Sequence, residues 1–479
     1  MSDFLFSVRK DGNAQLDSYE GNNAHVVIPS RYDGKPVTAI AENAFAWQSG
    51  IKTVVIPDTV TILGEAAFSW CDSLVTVSIP QSVCFIGEWC FIGCSSLKSI
   101  TLPPAVRKIN YSTFQSCISL TSVSLPDTLD LIGPEAFSEC RSLRFITLPD
   151  NILEIGENAF ASCDALCSIN IPEHLQKIGN GAFSGCLSLS SISVPADHPV
   201  FLSDDNVLIS KKDRRLIFYP FEKQDREYCV PDFVSVIDEE AFSNRIHLEH
   251  VFLPDSVHTI EQKAFYGCRK RKKINLPGSI SRISSSAFHG CSSLSEISLP
   301  DSMTAIEYSV FYACSSLTSV RIPDTIRFIS ACAFCGCISL SSIRLPEGLM
   351  EIGESAFEGC RAMQEVVLPF SLKALGPHAF GSCSMLDNVT IRSDIRELAP
   401  MLFSGCENLN CITLPDTLEC IGTEAFLNCV DLLSLEIPRS VSVIEPDAFS
   451  GCSHLMLFVW PDSYAKEYAQ ERDLLFSEM

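Results

Sequence analysis

A phenylalanine returns every 23 residues along most of this chain. It stands at Phe45, Phe68, Phe91, Phe114, Phe137, Phe160 and Phe183, and again at Phe242, Phe265, Phe288, Phe311, Phe334, Phe357, Phe380, Phe403, Phe426 and Phe449. The spacing does not slip within either run. A fixed period of this size marks a solenoid, in which no unit buries its apolar face alone and each completes the core of its neighbour. The repeat also overrides the three or so domains that 479 residues would otherwise suggest.

Each repeat divides into three stretches. Alanine precedes the phenylalanine in 13 of the 17 units, which suits a short helical turn. Fifteen cysteines fall three residues after it, and a leucine usually follows three later. A short alternation of apolar and small polar residues comes next, as in Val123-Ser124-Leu125, and predicts a half-buried strand. Proline ends that strand in 16 of 17 units, where its missing N–H costs little; Arg392 is the exception. A second apolar pair follows, such as Leu129 and Ile132, and often a glycine. The pattern describes a leucine-rich-repeat solenoid with a parallel sheet on one face. Cysteines locked to the repeat phase read as small, reduced core residues.

The unit Ala136-Phe137-Ser138-Glu139-Cys140-Arg141-Ser142-Leu143-Arg144-Phe145-Ile146-Thr147-Leu148-Pro149 resembles the BspA-like leucine-rich repeats, and the resemblance covers nearly the whole chain. It implies a right-handed solenoid with a parallel β-sheet face and short helical turns. It also implies an interaction protein, displayed at the surface or secreted in many members and an adhesin in some. The expected organisation is an N-terminal cap at 1–43, seven repeats at 44–196, a β-hairpin insertion at 197–231, ten repeats at 232–461 and a capping helix at 462–479. The hairpin is read from Val207-Leu208-Ile209 and Leu216-Ile217-Phe218, which flank a charged stretch. In the tail, Tyr464, Tyr468 and Leu475 are the expected capping residues.

Charge and motifs narrow the function. The formal net charge is -23, which disfavours nucleic acid and anionic lipid as partners. The first residues lack the basic leader and apolar run of a signal peptide, and no stretch has the length of a transmembrane helix. The expected setting is therefore cytoplasmic, or surface or secreted if the N-terminus is incomplete, with no membrane insertion. There is no P-loop, His-Glu-x-x-His or Gly-x-Ser-x-Gly motif, so neither an enzyme nor a cofactor is expected.

Candidate binding residues come from the outward strand positions, eight and ten residues after each phenylalanine. These are mostly Ser and Thr in the first run of repeats, and change in the second to His250, Phe252, Lys273, Asn275, Glu296, Arg321, Arg344 and Glu365. Aromatic and charged side chains on one sheet face are the types that anchor protein partners. The expected function is a non-enzymatic protein-protein interaction scaffold, with a cell-surface adhesin as the runner-up. The dense run Arg269, Lys270, Arg271, Lys272 is a second candidate, for an acidic partner, although Arg271 takes a leucine slot. Cys332-x-x-Cys335 lacks the further ligands that zinc requires. A column of Tyr266, His289, Tyr312, Cys335 and Glu358 forms a polar-aromatic stripe without evident chemistry.

Overall fold

A computed structural model describes residues 3–221 and 223–479. Two compact units emerge. One comprises Met1–Lys223 with Asp238–Ala241, and the other Gln224–Ile237 with Phe242–Met479. Both are leucine-rich-repeat solenoids, and each coil is named here by its phenylalanine.

Stacked rings run along the interior. In the first unit, consecutive rings from Phe45 to Phe183 lie 4.9–5.9 Å apart and within 11° of parallel. In the second, Phe242 to Phe449 stack at 5.1–6.0 Å. Every ring is buried. Burying one such side chain contributes roughly 1.5–3 kcal/mol, and its aromatic contacts add about 0.5–1.5 kcal/mol. Beside the rings, each column cysteine donates its thiol to the carbonyl of the preceding phenylalanine, as in Cys94 Sγ to Phe68 O at 3.1 Å and Cys360 Sγ to Phe334 O at 3.3 Å. Burial pushes most of these thiols up, to about 12 at Cys71 and Cys406, so they stay protonated and serve as packing groups; Cys452, hydrogen-bonded with the Cys429 thiol, is shifted down instead.

Three backbone ladders join the coils. The first is the expected strand face. Its strands pair in parallel with a shift of one repeat, so Ser99 faces Ser122 and Glu296 faces Ser319. The second ladder was not visible in the sequence. The second member of the apolar pair after the proline turn lies in a two-residue strand, and Leu131–Ile132 pairs with Glu154–Ile155 and that with Lys177–Ile178.

The third ladder lies along the phenylalanines. The N–H groups at the phenylalanine and two residues to either side donate to the next coil, as in Asn43 N to Glu65 O, Phe45 N to Ala67 O and Trp47 N to Ser69 O. The N–H groups between them close four-residue turns within the coil, such as Ala46 N to Asn43 O. The short helical turns anticipated from the Ala-Phe pair therefore do not propagate into helix. The residues two before and two after the ring take positive φ in all seven coils of the first unit, including Trp47, Trp70 and Trp89. Left-handed backbone at non-glycine residues costs roughly 1–2 kcal/mol, and here the hydrogen bonds to the adjacent coil hold it in place.

One slot of the second ladder is often glycine. Nineteen residues after the ring, eight coils carry glycine: Gly64, Gly87, Gly133, Gly156, Gly179, Gly353, Gly376 and Gly422. In every one of these the second strand pairs back to the preceding coil. A Cβ at Gly376 would sit 2.5 Å from the Gly353 carbonyl carbon, closer than atoms pack. The ladder is interrupted before Lys108–Ile109, Ala305–Ile306 and Glu397–Leu398, whose coils carry Asn110, Glu307 and Ala399 in that slot, although coils with Glu261, Ser284, Ser330 and Glu445 there still pair back. At the first interruption the Asn110 side chain takes over, donating to Ile86 O at 2.6 Å.

The insertion contains the expected hairpin, Val207–Ser210 antiparallel to Arg215–Phe218. A further strand, Phe201–Asp204, precedes it and pairs with Val207–Ser210. Asp205 and Asn206 join them with φ of 47° and 65°, the left-handed pair that a tight hairpin turn demands. Buried His198 fastens the start of the insertion. Its Nδ1 accepts the N–H groups of Val200 and Phe201 at 3.1 and 3.0 Å, and its Nε2 lies 3.0 Å from Pro172 O. In the tail, helix forms over Tyr464–Glu471, and Leu475–Glu478 is a strand beside Met456–Val459. Tyr468 is buried edge-on against Phe449 at 6.2 Å, while Tyr464 and Leu475 are exposed.

Candidate protein-interaction face

Seven of the eight strand-face candidates are exposed, and His250 is half-buried. His250 and Phe252 lie on one strand, with their rings 6.3 Å apart. Phe252 is 50% exposed, which leaves much of its ring available for contact. The face then loses its regular pairing. Lys273 keeps only an isolated bridge to Glu296, and no strand forms over 342–344 around Arg344. Glu365 resumes the ladder, opposite Asn388. Around the first gap, Lys273, Asn275, Glu296 and Arg321 rim an open depression of about 570 Å³.

The charges on this face are matched locally. Lys273 pairs with Glu296, Arg321 with Asp301 at 2.9 Å, and Arg344 with Asp324 at 3.4 Å. The acidic residues that follow the repeat prolines thus neutralise the arginines one coil further on. Exposed pairs of this kind contribute roughly 0–1 kcal/mol and present little net charge to a partner.

The basic run divides. Arg269, Lys270 and Lys272 are exposed, but Arg271 is fully buried and does not belong to a surface patch. Its guanidinium lies 4.4 Å over the Phe265 ring, and its nitrogens make no conventional hydrogen bond. The side chain points inward because the leucine slot points inward, whatever residue fills it. Burial lowers its pKa, while the neighbouring Cys268 and Cys291 thiols act in the opposite direction.

Other sequence candidates fall into place as packing. Tyr266, His289 and Tyr312 stack at 4.7 and 4.6 Å. Burial raises the Cys332 thiol and pushes Cys335 up to about 11, the reverse of an activated thiolate. Among the described residues, no group of three or more His, Cys, Asp or Glu side chains is arranged to hold a metal, and no helix is long and apolar enough to cross a membrane.

Two exposed features escaped the sequence reading. Trp47 and Trp70 stack face to face at 5.3 Å on the turn side. Phe370 is 72% exposed, more than any other large apolar side chain among the described residues. It replaces the acidic residue that usually follows the repeat proline, and that departure from the column was the available signal.

The family model for the BspA type leucine rich repeat region matches six copies, over residues 38–152, 107–202, 221–341 and 327–456. Among solved structures, a leucine rich cell surface protein from Faecalibacterium prausnitzii A2-165 is 24% identical, with 94% of this chain and 97% of that one covered and a TM-score of 0.49. A leucine-rich repeat protein from Bacteroides ovatus ATCC 8483 is also 24% identical, covering 100% and 99%, with a TM-score of 0.47. The pneumococcal vaccine antigen PcpA is 18% identical, covering 100% and 98%, with a TM-score of 0.41. No curated protein matches the chain.

Proposed function

This chain belongs to the BspA-type leucine-rich-repeat family, and from that premise we propose that it is a non-enzymatic scaffold holding a protein partner on its strand face. The face runs from the Phe242 coil to the Phe357 coil. The observation that supports this reading is the depression rimmed by Lys273, Asn275, Glu296 and Arg321, where a regular ladder would leave a flat surface. Because the charges there are already paired, exposed Phe252 is the anchor and the ion pairs set register and specificity. The exposed thiols of Cys84, Cys229 and Cys411 favour a reducing compartment.

Affinity capture from a native lysate tests the proposal. The whole chain is compared with a variant carrying Phe252→Ala, Lys273→Glu, Arg321→Glu and Arg344→Glu, its fold verified by circular dichroism. The expected result is a protein retained by the wild type and lost by the variant. An unchanged capture profile overturns the assignment to this face, and capture of nothing by either protein favours an extracellular ligand.

A further inference from the structure

A cleft of about 750 Å³ opens in the second ladder between the Phe357 and Phe380 coils. Three departures from the repeat converge on it. Ala399 stands where eight other coils carry glycine. Arg392 replaces the strand-end proline, and the turn that normally follows is absent. Phe370 replaces the acidic residue and lines the mouth, with the Arg392 guanidinium 5.9 Å from its ring centre. The two coils remain joined elsewhere. Glu365–Leu368 pairs with Asn388–Ile391, and Phe357 N donates to Ala379 O at 2.8 Å. Only one of the three ladders has parted.

The parted ladder leaves complementary lips. In the preceding pair of coils, Lys373 N and Ala374 N donate to Met350 O, and Gly376 N donates to Ile352 O. The equivalent groups across the cleft are the carbonyls of Lys373 and Leu375 on one lip and the N–H groups of Arg396, Glu397 and Ala399 on the other. No backbone bond joins the two lips. Lys373 and Arg396 are offset by Asp394 and Glu397, so the mouth has no strong charge preference. Unpaired strand-edge groups beside an aromatic wall suit one class of ligand: a chain that carries its own alternating N–H and C=O groups.

We propose that this cleft is a docking site for a short extended peptide segment of a protein partner. The peptide adds to the parted ladder through its backbone, and an apolar side chain of it packs on Phe370. The inference rests on the scaffold reading and deepens it, but it concerns a different face from the depression around Lys273. Of the three interrupted places in the second ladder, this one combines open lips with an exposed aromatic wall, whereas Asn110 fills the lip it borders.

The test is to pan a phage-displayed library of random dodecapeptides against the whole chain and titrate the synthesised hits. Hydrogen exchange then locates them. Hits are expected to slow exchange at the amides of Arg396, Glu397 and Ala399, and to bind Phe370→Ala roughly tenfold more weakly, as befits loss of an aromatic anchor. Ala399→Gly restores the residue common in this slot; where it reseats the coil, residue 399 exchange slows without peptide and peptide binding is lost. Phe370→Ala leaves both lips in place, so it reports on the site independently of whether glycine closes the cleft. The strand-face variant described above is expected to bind the same peptides unchanged, which separates failure of this site from failure of the scaffold face. Failure to enrich any peptide, protection confined to other amides, or equal binding by Phe370→Ala overturns the proposal.

Discussion

The coils around Phe137 and Phe160 differ from those around Phe265 and Phe380 in a few slots only. In the first pair the cysteine, leucine and glycine slots hold Cys140, Leu143 and Gly156, then Cys163, Leu166 and Gly179, and the second ladder runs unbroken from Lys108–Ile109 to Lys177–Ile178. In the second pair Arg271 fills a leucine slot and Ala399 a glycine slot, and a ladder is disturbed near each. The 23-residue rule is thus a rule about contacts between neighbours. Slots are shared by two coils, so the departures at Arg271 and Ala399 lie beside gaps between coils, whereas Ser284 in the glycine slot of the Phe265 coil leaves its second ladder paired.

The comparison can be broken most forcefully in the regular coils. Phe137 lies 5.4 Å from both Phe114 and Phe160, so Phe137→Ala should cost about 3–5 kcal/mol in urea denaturation. A cost below roughly 1 kcal/mol would mean that the column is not what holds the coils together. In the irregular coils the sign reverses. Arg271→Leu replaces a buried charge lacking a conventional hydrogen bond and should stabilise the unit by about 1–4 kcal/mol, and any loss of stability would reveal a partner for the guanidinium. Gly156→Ala should transfer the irregular behaviour to the regular region. It is expected to cost about 1–3 kcal/mol and to speed exchange at the residue 156 amide, now bonded to Ile132 O at 2.8 Å.

Two smaller effects sharpen the picture. Burial holds the His198 pKa below its usual 6.5, with Lys211 adding to the shift and Glu173 opposing it. A folded-state pKa below the unfolded value means that the histidine's contribution is complete above pH 6.5 and declines as pH falls below it. Protection of the Val200 and Phe201 amides should therefore weaken at acid pH, and His198→Gln should remove that pH dependence. Lys273→Ala, which deletes one half of an exposed pair, should shift stability by less than about 1 kcal/mol.

How far the sequence could be read follows from the length scale of each signal. The phenylalanine column, the strand face and the hairpin repeat or alternate over enough residues to be recognised. A strand of two residues, such as Ile62–Leu63, has no alternation to detect, and its existence depends on pairing with another coil. The Ala-Phe pair suggested helix because alanine favours it, yet the left-handed residues on both sides are imposed by bonds to a coil 23 residues away. Phe201–Asp204 pairs through an evident Asp-Asn turn but lacks a strand's polar alternation. At the candidate face, the columns identified which side chains point outward. They did not show that Arg321 and Arg344 would meet Asp301 and Asp324, because that pairing crosses between coils.

The hydrogen bonds between coils point in both directions. A phenylalanine N–H reaches forward to a carbonyl in the next coil, while a cysteine thiol and the second-strand N–H groups reach back to the one before. On the ribosome, a coil can settle onto its predecessor as soon as it emerges, but it must wait for 23 more residues before its forward donors find acceptors. At roughly 5–20 residues per second that wait lasts about one to five seconds, far longer than local chain motions take. Translation speed therefore sets the pace at which this protein zips up, and a pause in synthesis leaves one row of backbone donors exposed at the growing end.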